Sequence, residues 1–212
     1  MPDATAPLRH KRAPCPVHFP AEAERPETKR HLKLRTLLFA VLETFANRAA
    51  VGSEQFVYYA ATDPSKCVAP DGFLRLGTPD TDFNVWKTWE RGAPDLAVEI
   101  VSDSDASDRA VDEKVHRYHE MGVRELVRFD PDELSGSRIR VWDLLDGDLV
   151  ERVVDGDRTP CSTLGLWWVV VPGAGYPAAL RLAHDAAGID LVFTAEEARI
   201  RELEAKLAAR DQ

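Results

Sequence analysis

The sequence has no apolar run near the roughly 18 residues that a membrane span requires. Its longest, residues 166–171, is only as long as a buried strand. No hydrophobic signal region follows the first residues, which include Pro2, Asp3, His10, Lys11 and Arg12. The expectation is a soluble, cytoplasmic protein with no membrane partner. Cysteine is scarce: Cys15, Cys67 and Cys161 are far apart and form no CxxC pair. A structural zinc site is therefore not expected, and the scatter suits a reducing compartment. Positive charge is also in short supply. Twenty-seven Lys and Arg face 36 Asp and Glu, for a net charge of −9. That balance argues against tight, non-specific nucleic-acid binding, because neutralising phosphates needs local positive charge. It leaves room for a basic groove on an acidic whole.

What is present suffices for one core. The 212 residues are 44% hydrophobic and 30% charged, too few for two large domains. Residues 1–25, rich in Pro, Ala and charge, predict a poorly ordered arm. Pro26 fits a first helical turn, and Leu34, Leu37, Leu38, Val41, Leu42 and Phe45 follow at helical spacing to about Asn47. Residues 55–60 and 71–76 have strand character, and 79–89 reads as a loop holding Trp86 and Trp89. Residues 96–101 form an apolar run broken only by Glu99. Residues 107–121 predict a second helix with Val111, Val115 and Tyr118 on its apolar stripe and Gly122 as its cap.

Residues 125–129 are a further strand. Residues 138–144 and 149–154 flank Asp146-Gly147-Asp148, a hairpin signal. Residues 166–171 and 179–182 are expected to complete the sheet. The tail, 191–212, opens on a Thr194–Glu197 capping box and carries Ile200, Leu203 and Leu207 as a short heptad-like stripe. The pattern is α/β: a mixed central sheet flanked by helices, with a β-rich C-terminal extension and a terminal helix. That helix is expected to dock on its own core; its stripe or a sheet edge is where a homodimer would form.

The chemistry concentrates where carboxylates interrupt apolar runs. A carboxylate in a buried strand is costly unless paired or bound to a metal. Glu99 is such a residue, and Asp71 opens another strand-like run after Pro70. On neighbouring strands the two would converge at one end of the sheet. Two hard oxygen ligands with open positions suit Mg²⁺, which also takes water and phosphate oxygens. Lys114 borders the apolar stripe of the second helix, from where its ammonium can reach over the strand end toward the pair.

These residues carry a resemblance. Pro70-Asp71, the string from Gly92 to Ser102, Asp112-Glu113-Lys114, Tyr118, the Gly122-Val123-Arg124-Glu125 turn and Asp130-Pro131 are similar in order and spacing to the Uma2 family (DUF820). That family lies within the PD-(D/E)XK, restriction-endonuclease-like nucleases, and residues 26–190 would form the nuclease domain. The resemblance implies a Mg²⁺- or Mn²⁺-dependent endonuclease acting on DNA, with Asp71 and Glu99 as metal ligands and Lys114 as catalytic lysine. It also implies a helical Glu27 facing the same site. Val101 stands where the superfamily pattern places a lysine, and Lys114 on the following helix would replace it. The alternative is a nuclease fold that has lost catalysis and serves as a binding module.

Each residue also has a plainer reading. Glu99 would pair with Arg117 or Arg124, Lys114 would be a solvated helix lysine, and Glu113 would pair with Arg117 along the helix. Glu27 near a helix start would favour the macrodipole. Asp95 is a secondary candidate for the ligand role of Asp71. His116 and His119 read as surface histidines, and Asp103, Asp105, Asp108 and Asp112 as helix-start acids. Trp86 and Trp89 would cover the core edge, or stack bases.

Overall fold

The computed structural model describes Val17, Phe19 and residues 27–102 and 108–210. The rest of the N-terminal arm, Pro26 and the acids Asp103 and Asp105 lie outside these residues. Helix α1 spans Lys29–Leu42 and ends in a 3₁₀ turn, Glu43–Phe45. Strands β1 (Ala49–Gly52), β2 (Phe56–Tyr58), β3 (Cys67–Val68), β4 (Gly72–Leu76) and β5 (Val85–Lys87) follow. A single turn, α2 (Thr88–Arg91), leads to β6 (Leu96–Ile100), α3 (Asp108–Met121) and β7 (Glu125–Phe129). The C-terminal part contains β8 (Ile139–Leu145), β9 (Asp148–Arg152), β10 (Arg158–Cys161), β11 (Leu166–Gly173), β12 (Tyr176–Ala183) and α4 (Ala195–Arg210).

The central sheet has six strands in the order β1-β4-β6-β7-β8-β9. Only β6 and β7 run parallel, joined by α3, so the sheet is mixed. All five residues of β6 are buried because both faces of the sheet are covered. Leu96, Val98 and Ile100 enter the larger core with α1 and the β10-β11-β12 sheet, whereas Ala97 enters a second core with Tyr118 and Met121 of α3. The period-two alternation of β6 thus sorts its side chains between two helices. Leu34, Leu38, Val41 and Leu42 form the buried stripe of α1, and Thr28 caps it by accepting a 3.1 Å hydrogen bond from the His31 N–H.

The mixed sheet, flanking helices, β-rich extension and terminal helix match the sequence-based expectation. Several elements differ. The first helix stops at Leu42, and Glu27 lies ahead of its cap instead of on the helix. Residues 49–52, beyond the expected helix end, form β1, whose small apolar residues all fit under covering layers. The expected loop at 79–89 contains β5 and the start of α2. Trp86 is fully buried there, its indole N–H donating to the Gly92 carbonyl at 2.8 Å, while Trp89 stays exposed. The last strands do not complete the central sheet but form a separate one with β10. The hairpin turn is as read: Asp146 and Gly147 both take positive φ, 52° and 96°.

The capping box of α4 forms, with the Thr194 N–H donating to Glu197 at 2.8 Å and the Glu197 N–H to Thr194 Oγ1 at 3.2 Å. The helix does not dock on the core; none of its residues is buried.

Asp95, just ahead of β6, is 2% exposed and saturated by protein donors. Its carboxylate accepts from Arg75 at 3.0 Å, Arg124 at 3.2 Å and the Leu76 N–H at 2.8 Å. This buried acid locks β4 to β6, with both of its oxygens engaged by protein donors. Asp95→Ala leaves Arg75 and the Leu76 N–H without their acceptor, while the largely exposed Arg124 turns to water, so it should cost about 1–3 kcal/mol in urea unfolding. Loss of less than about 0.5 kcal/mol, the scale of a neutral surface change, would contradict this structural role.

Candidate active site

The register of β4 against β6 places Gly72 opposite Val98. One step further along the antiparallel pair, Asp71 faces Glu99. Residues opposite one another share a sheet face, so the two carboxylates lie side by side at one end of the sheet. Beyond Gly72, β4 no longer supplies a carbonyl to β6. The Asp71 side chain takes over, accepting from the Ile100 N–H at 2.7 Å through Oδ2. Its other oxygen, Oδ1, lies 2.7 Å from His31 Nε2 of α1. The Asp71 carbonyl is fixed by the Ser53 hydroxyl at 2.7 Å.

Glu99 points to the α3 side. Lys114 Nζ donates to Oε2 at 2.7 Å, and the Tyr118 hydroxyl donates to Oε1. Lys114 and Tyr118 are four residues apart, one turn of α3, so a single helix face presents both donors. Glu99 is 6% exposed and Asp71 is also 6% exposed. Burial, opposed by the Lys114 charge and aided by the Asp71 charge, holds the Glu99 carboxyl up at about 7. The two acids thus feel each other's charge.

Asp71, Glu99 and Lys114, far apart in sequence, are brought together. Glu27 is not against the pair itself. It is clamped by Arg35 through two hydrogen bonds, 2.9 and 3.0 Å, and lies 3.9 Å from His31. His31 thus stands between Glu27 and Asp71. Its imidazole is held above its ordinary value of 6.5, chiefly by the hydrogen bond to Asp71. Arg35 also reaches Ser53 at 3.3 Å and Glu54 at 3.2 Å.

The sequence reading missed His31 and Arg35. His31 lies three residues before Leu34 and seven before Leu38, on the stripe that α1 buries, but a histidine in that position carries no spacing signal that sets it apart from a core residue.

The site continues across the sheet. Glu99 pairs in register with Arg128 of β7, and Arg128 with Arg140 of β8. Leu126 and Trp142, each two residues away from these arginines, belong to the core beneath α3. Asp71, Glu99, Arg128 and Arg140 therefore occupy one row on one sheet face, two acids followed by two bases. A cleft of about 380 Å³ opens beside the row, lined by Arg128, Arg138 and Arg140 together with Asp130, Asp132 and Glu133. A second cleft of about 240 Å³, bordered by His31, Ile100 and Ser102, lies against the α1 side.

The plainer pairings fall differently. Arg124 binds Asp95, not Glu99, and Glu113 pairs with Arg109 at 2.9 Å, not with Arg117. His119 Nε2 sits 2.8 Å from the Gly147 carbonyl and His116 is 3.8 Å from Glu120, both at the surface. Among the described residues, no three His, Cys, Asp or Glu side chains gather as a metal-binding group. A cation here would have two protein carboxylates and must complete its shell with water or substrate oxygens, a donor set that suits Mg²⁺ or Mn²⁺. The acid pair fits that role, since a cation between them relieves the repulsion and burial that raise Glu99.

The family model for Uma2, described as "Putative restriction endonuclease", matches residues 21–172. No curated protein matches the chain. Among solved structures, it is similar to a protein from Anabaena variabilis ATCC 29413, described as a "putative nuclease belonging to DUF820". The two are 16% identical, the match covers 66% of this chain and 75% of that one, and the TM-score is 0.48.

The raised Glu99 has a consequence for stability. An open-chain glutamate loses its proton near 4.5, whereas Glu99 keeps it to about 7. Between these values the folded state binds more protons than the unfolded state, so this group lowers stability as pH rises through the window. His31 acts in the same direction: its raised pKa contributes stability below about 6.5 that is lost as pH climbs through the folded value. Comparison with Glu99→Gln isolates the carboxyl. In EDTA, the variant's stability relative to wild type should rise from pH 5 to pH 8 by an amount on the order of 2–3 kcal/mol, each pKa unit being worth about 1.4 kcal/mol. Urea titrations at several pH values measure it, and a gap that shrinks with rising pH would refute the raised carboxyl.

Proposed function

Because this chain belongs to the Uma2 family, whose description is "Putative restriction endonuclease", we propose that it is a nuclease that hydrolyses phosphodiester bonds of DNA at the Asp71–Glu99 pair with Mg²⁺ or Mn²⁺. The observation that carries this reading is the meeting of two buried carboxylates across adjacent strands with the Lys114 ammonium 2.7 Å from one of them. Asp71 and Glu99 would hold the cation. When bound, it supplies Lewis-acid polarisation of a phosphate oxygen and lowers the pKa of coordinated water.

The protein's own groups do the rest. Lys114 is about one-third exposed in its side chain, so its ammonium can turn from Glu99 toward an incoming phosphate and offset the charge that develops there. Tyr118 keeps one Glu99 oxygen in place while it does so. The Glu27–Arg35 clamp holds His31, and His31 fixes the rotamer of Asp71. Arg128, one strand over from Glu99 on the same face, is positioned to contact a neighbouring phosphate of the same strand through a charge-assisted hydrogen bond.

One observation favours the alternative, a nuclease fold acting as a binding module. All four carboxylate oxygens of the pair already have a protein donor or the His31 ring beside them. Such a pair can persist without a cation. Calorimetry with Mg²⁺ and Mn²⁺ separates the readings, since a catalytic site must bind metal at millimolar concentration or below.

Plasmid and oligonucleotide cleavage in Mg²⁺ or Mn²⁺ tests the proposal directly. Asp71→Ala and Glu99→Ala should each lower the rate by about 10³-fold or more, and Lys114→Ala by about 10²-fold, the scale of losing one preorganised electrostatic group. Arg128→Gln should weaken DNA binding and flatten its salt dependence by about one charge while leaving metal binding intact. Cleavage that survives both Asp71→Ala and Glu99→Ala would end the assignment.

A further inference from the structure

Beyond its anchored first turn, and apart from Arg201 stacked 4.3 Å from the Phe193 ring centroid, helix α4 buries none of its residues against the body of the protein. Every residue from Ala198 to Arg210 is exposed, including Ile200 at 48%, Leu203 at 44% and Leu207 at 61%. Exposed aliphatic residues on a free helix are costly to leave in water when they fall on one stripe. Their spacing of three and then four is that of a coiled-coil seam, with Ile200 and Leu207 at a positions and Leu203 at d.

The start of the helix is anchored, so the stripe is held at a set place on the molecule. Arg181 of β12, 4% exposed, grips Glu197 through two hydrogen bonds of 2.9 and 2.8 Å and donates to the Val192 carbonyl at 2.9 Å. The capping box fixes the first turn from the other side.

The charges beside the stripe select the occupant. In this heptad frame Arg199 and Lys206 fall at g positions, Glu197 and Glu204 at e. When two copies lie parallel and in register, g of one helix meets the following e of the other. Arg199 then faces Glu204 of the second copy, and symmetry repeats the contact. An antiparallel pairing sets Arg199 near Lys206 and Glu197 near Glu204, like against like. Glu197 is held by Arg181, whereas Arg199 and Lys206 are engaged only in exposed pairs within the helix, Arg199–Glu202 at 2.7 Å and Lys206–Glu202, which hold little and are easily shared.

We propose that α4 is the seam of a parallel, twofold-symmetric dimer of this chain, closed by Ile200, Leu203 and Leu207 and oriented by Arg199–Glu204 pairs. A twofold seam is self-complementary and closes at two copies. With only three apolar residues per helix the association is weak and depends on concentration. The inference does not depend on the nuclease assignment, since α4 is remote in sequence from Asp71, Glu99 and Lys114.

Sedimentation equilibrium of the full chain tests it, from about 1 μM to several hundred μM, the range in which a short seam is populated. The wild type should dimerise as concentration rises, and Leu203→Asp should be monomeric throughout. Because α4 contributes nothing to the core, circular dichroism and thermal midpoint of the variants should match the wild type. Arg199→Glu should weaken the dimer about tenfold, as should Glu204→Arg, and the double exchange should return it to within about threefold of wild type. A wild type that stays monomeric at every concentration overturns the proposal, as does a dimer indifferent to Leu203→Asp. Tightening by Arg199→Glu overturns the parallel arrangement, because that is the sign an antiparallel seam gives.

Discussion

The architecture of the site depends on one costly placement: a glutamate in the middle of a sheet, on a strand whose other residues are all apolar. Burial alone would make Glu99 hold its proton, and the neighbouring Asp71 adds to that push. What keeps the side chain tolerable is α3, which lays a lysine and a tyrosine over it one turn apart. The parallel β6–α3–β7 crossover is therefore also the unit that creates the site. It puts Glu99 at the end of a strand, brings the helix back across that end, and sets Arg128 beside it on return.

The protein contains other buried acids, and comparing them shows why Glu99 differs. Glu125 is 1% exposed, but its oxygens accept from the Thr163 N–H at 2.7 Å and the Ser162 N–H at 3.2 Å. Asp95 is held by two arginines and a backbone N–H. Backbone donors and guanidinium forks are fixed in place, so these acids act as structural pins. Among the described residues Glu99 is served by two side chains, one of them an ammonium on a flexible stem with a third of its surface in water. Donors that can turn away leave a carboxylate able to take a different partner.

Much of this was readable in the residues. Glu99 was visible because it breaks an apolar run, and Lys114 because it borders the stripe of the following helix. Asp71 needed the family likeness as well, since a single Asp after a Pro at the head of a strand has many ordinary explanations. Only the register of β4 on β6 could bring it opposite Glu99. Short strands were the main loss. β1, β3, β5 and β10 are two to four residues long, shorter than any window in which alternation can be detected. Glu27 was read as helical because its neighbours carry helical spacing. The chain instead uses Thr28 as the cap, which swings Glu27 back toward Arg35 and makes it a support for His31, one residue removed from the acid pair. His31 went unread since a histidine on an apolar stripe has no distinguishing spacing of its own.

The acidic net charge looks unfavourable for a protein that handles phosphates, but its distribution matters more than its sum. Many of the acids are spent within the protein: Glu27 on Arg35, Asp95 on Arg75 and Arg124, Asp143 on Arg152, Asp157 on Arg138, Glu197 on Arg181. Glu27–Arg35 and Asp143–Arg152 are local, 8 and 9 residues apart, while the other pairs tie segments at least 16 residues apart along the chain. Across the end of the central sheet the order changes, two acids giving way to two arginines along one row of adjacent strands. A polyanion laid across that row would meet its attraction at the arginine end, where Arg140 is itself paired with Glu151 at 2.7 and 3.0 Å, and its repulsion from Asp71 and Glu99. The repulsive end becomes favourable only when a divalent cation sits there. Under the proposed nuclease reading, binding of a phosphate chain in that orientation would be coupled to binding of metal, and the same coupling would keep an acidic protein from holding nucleic acid tightly when no metal is bound.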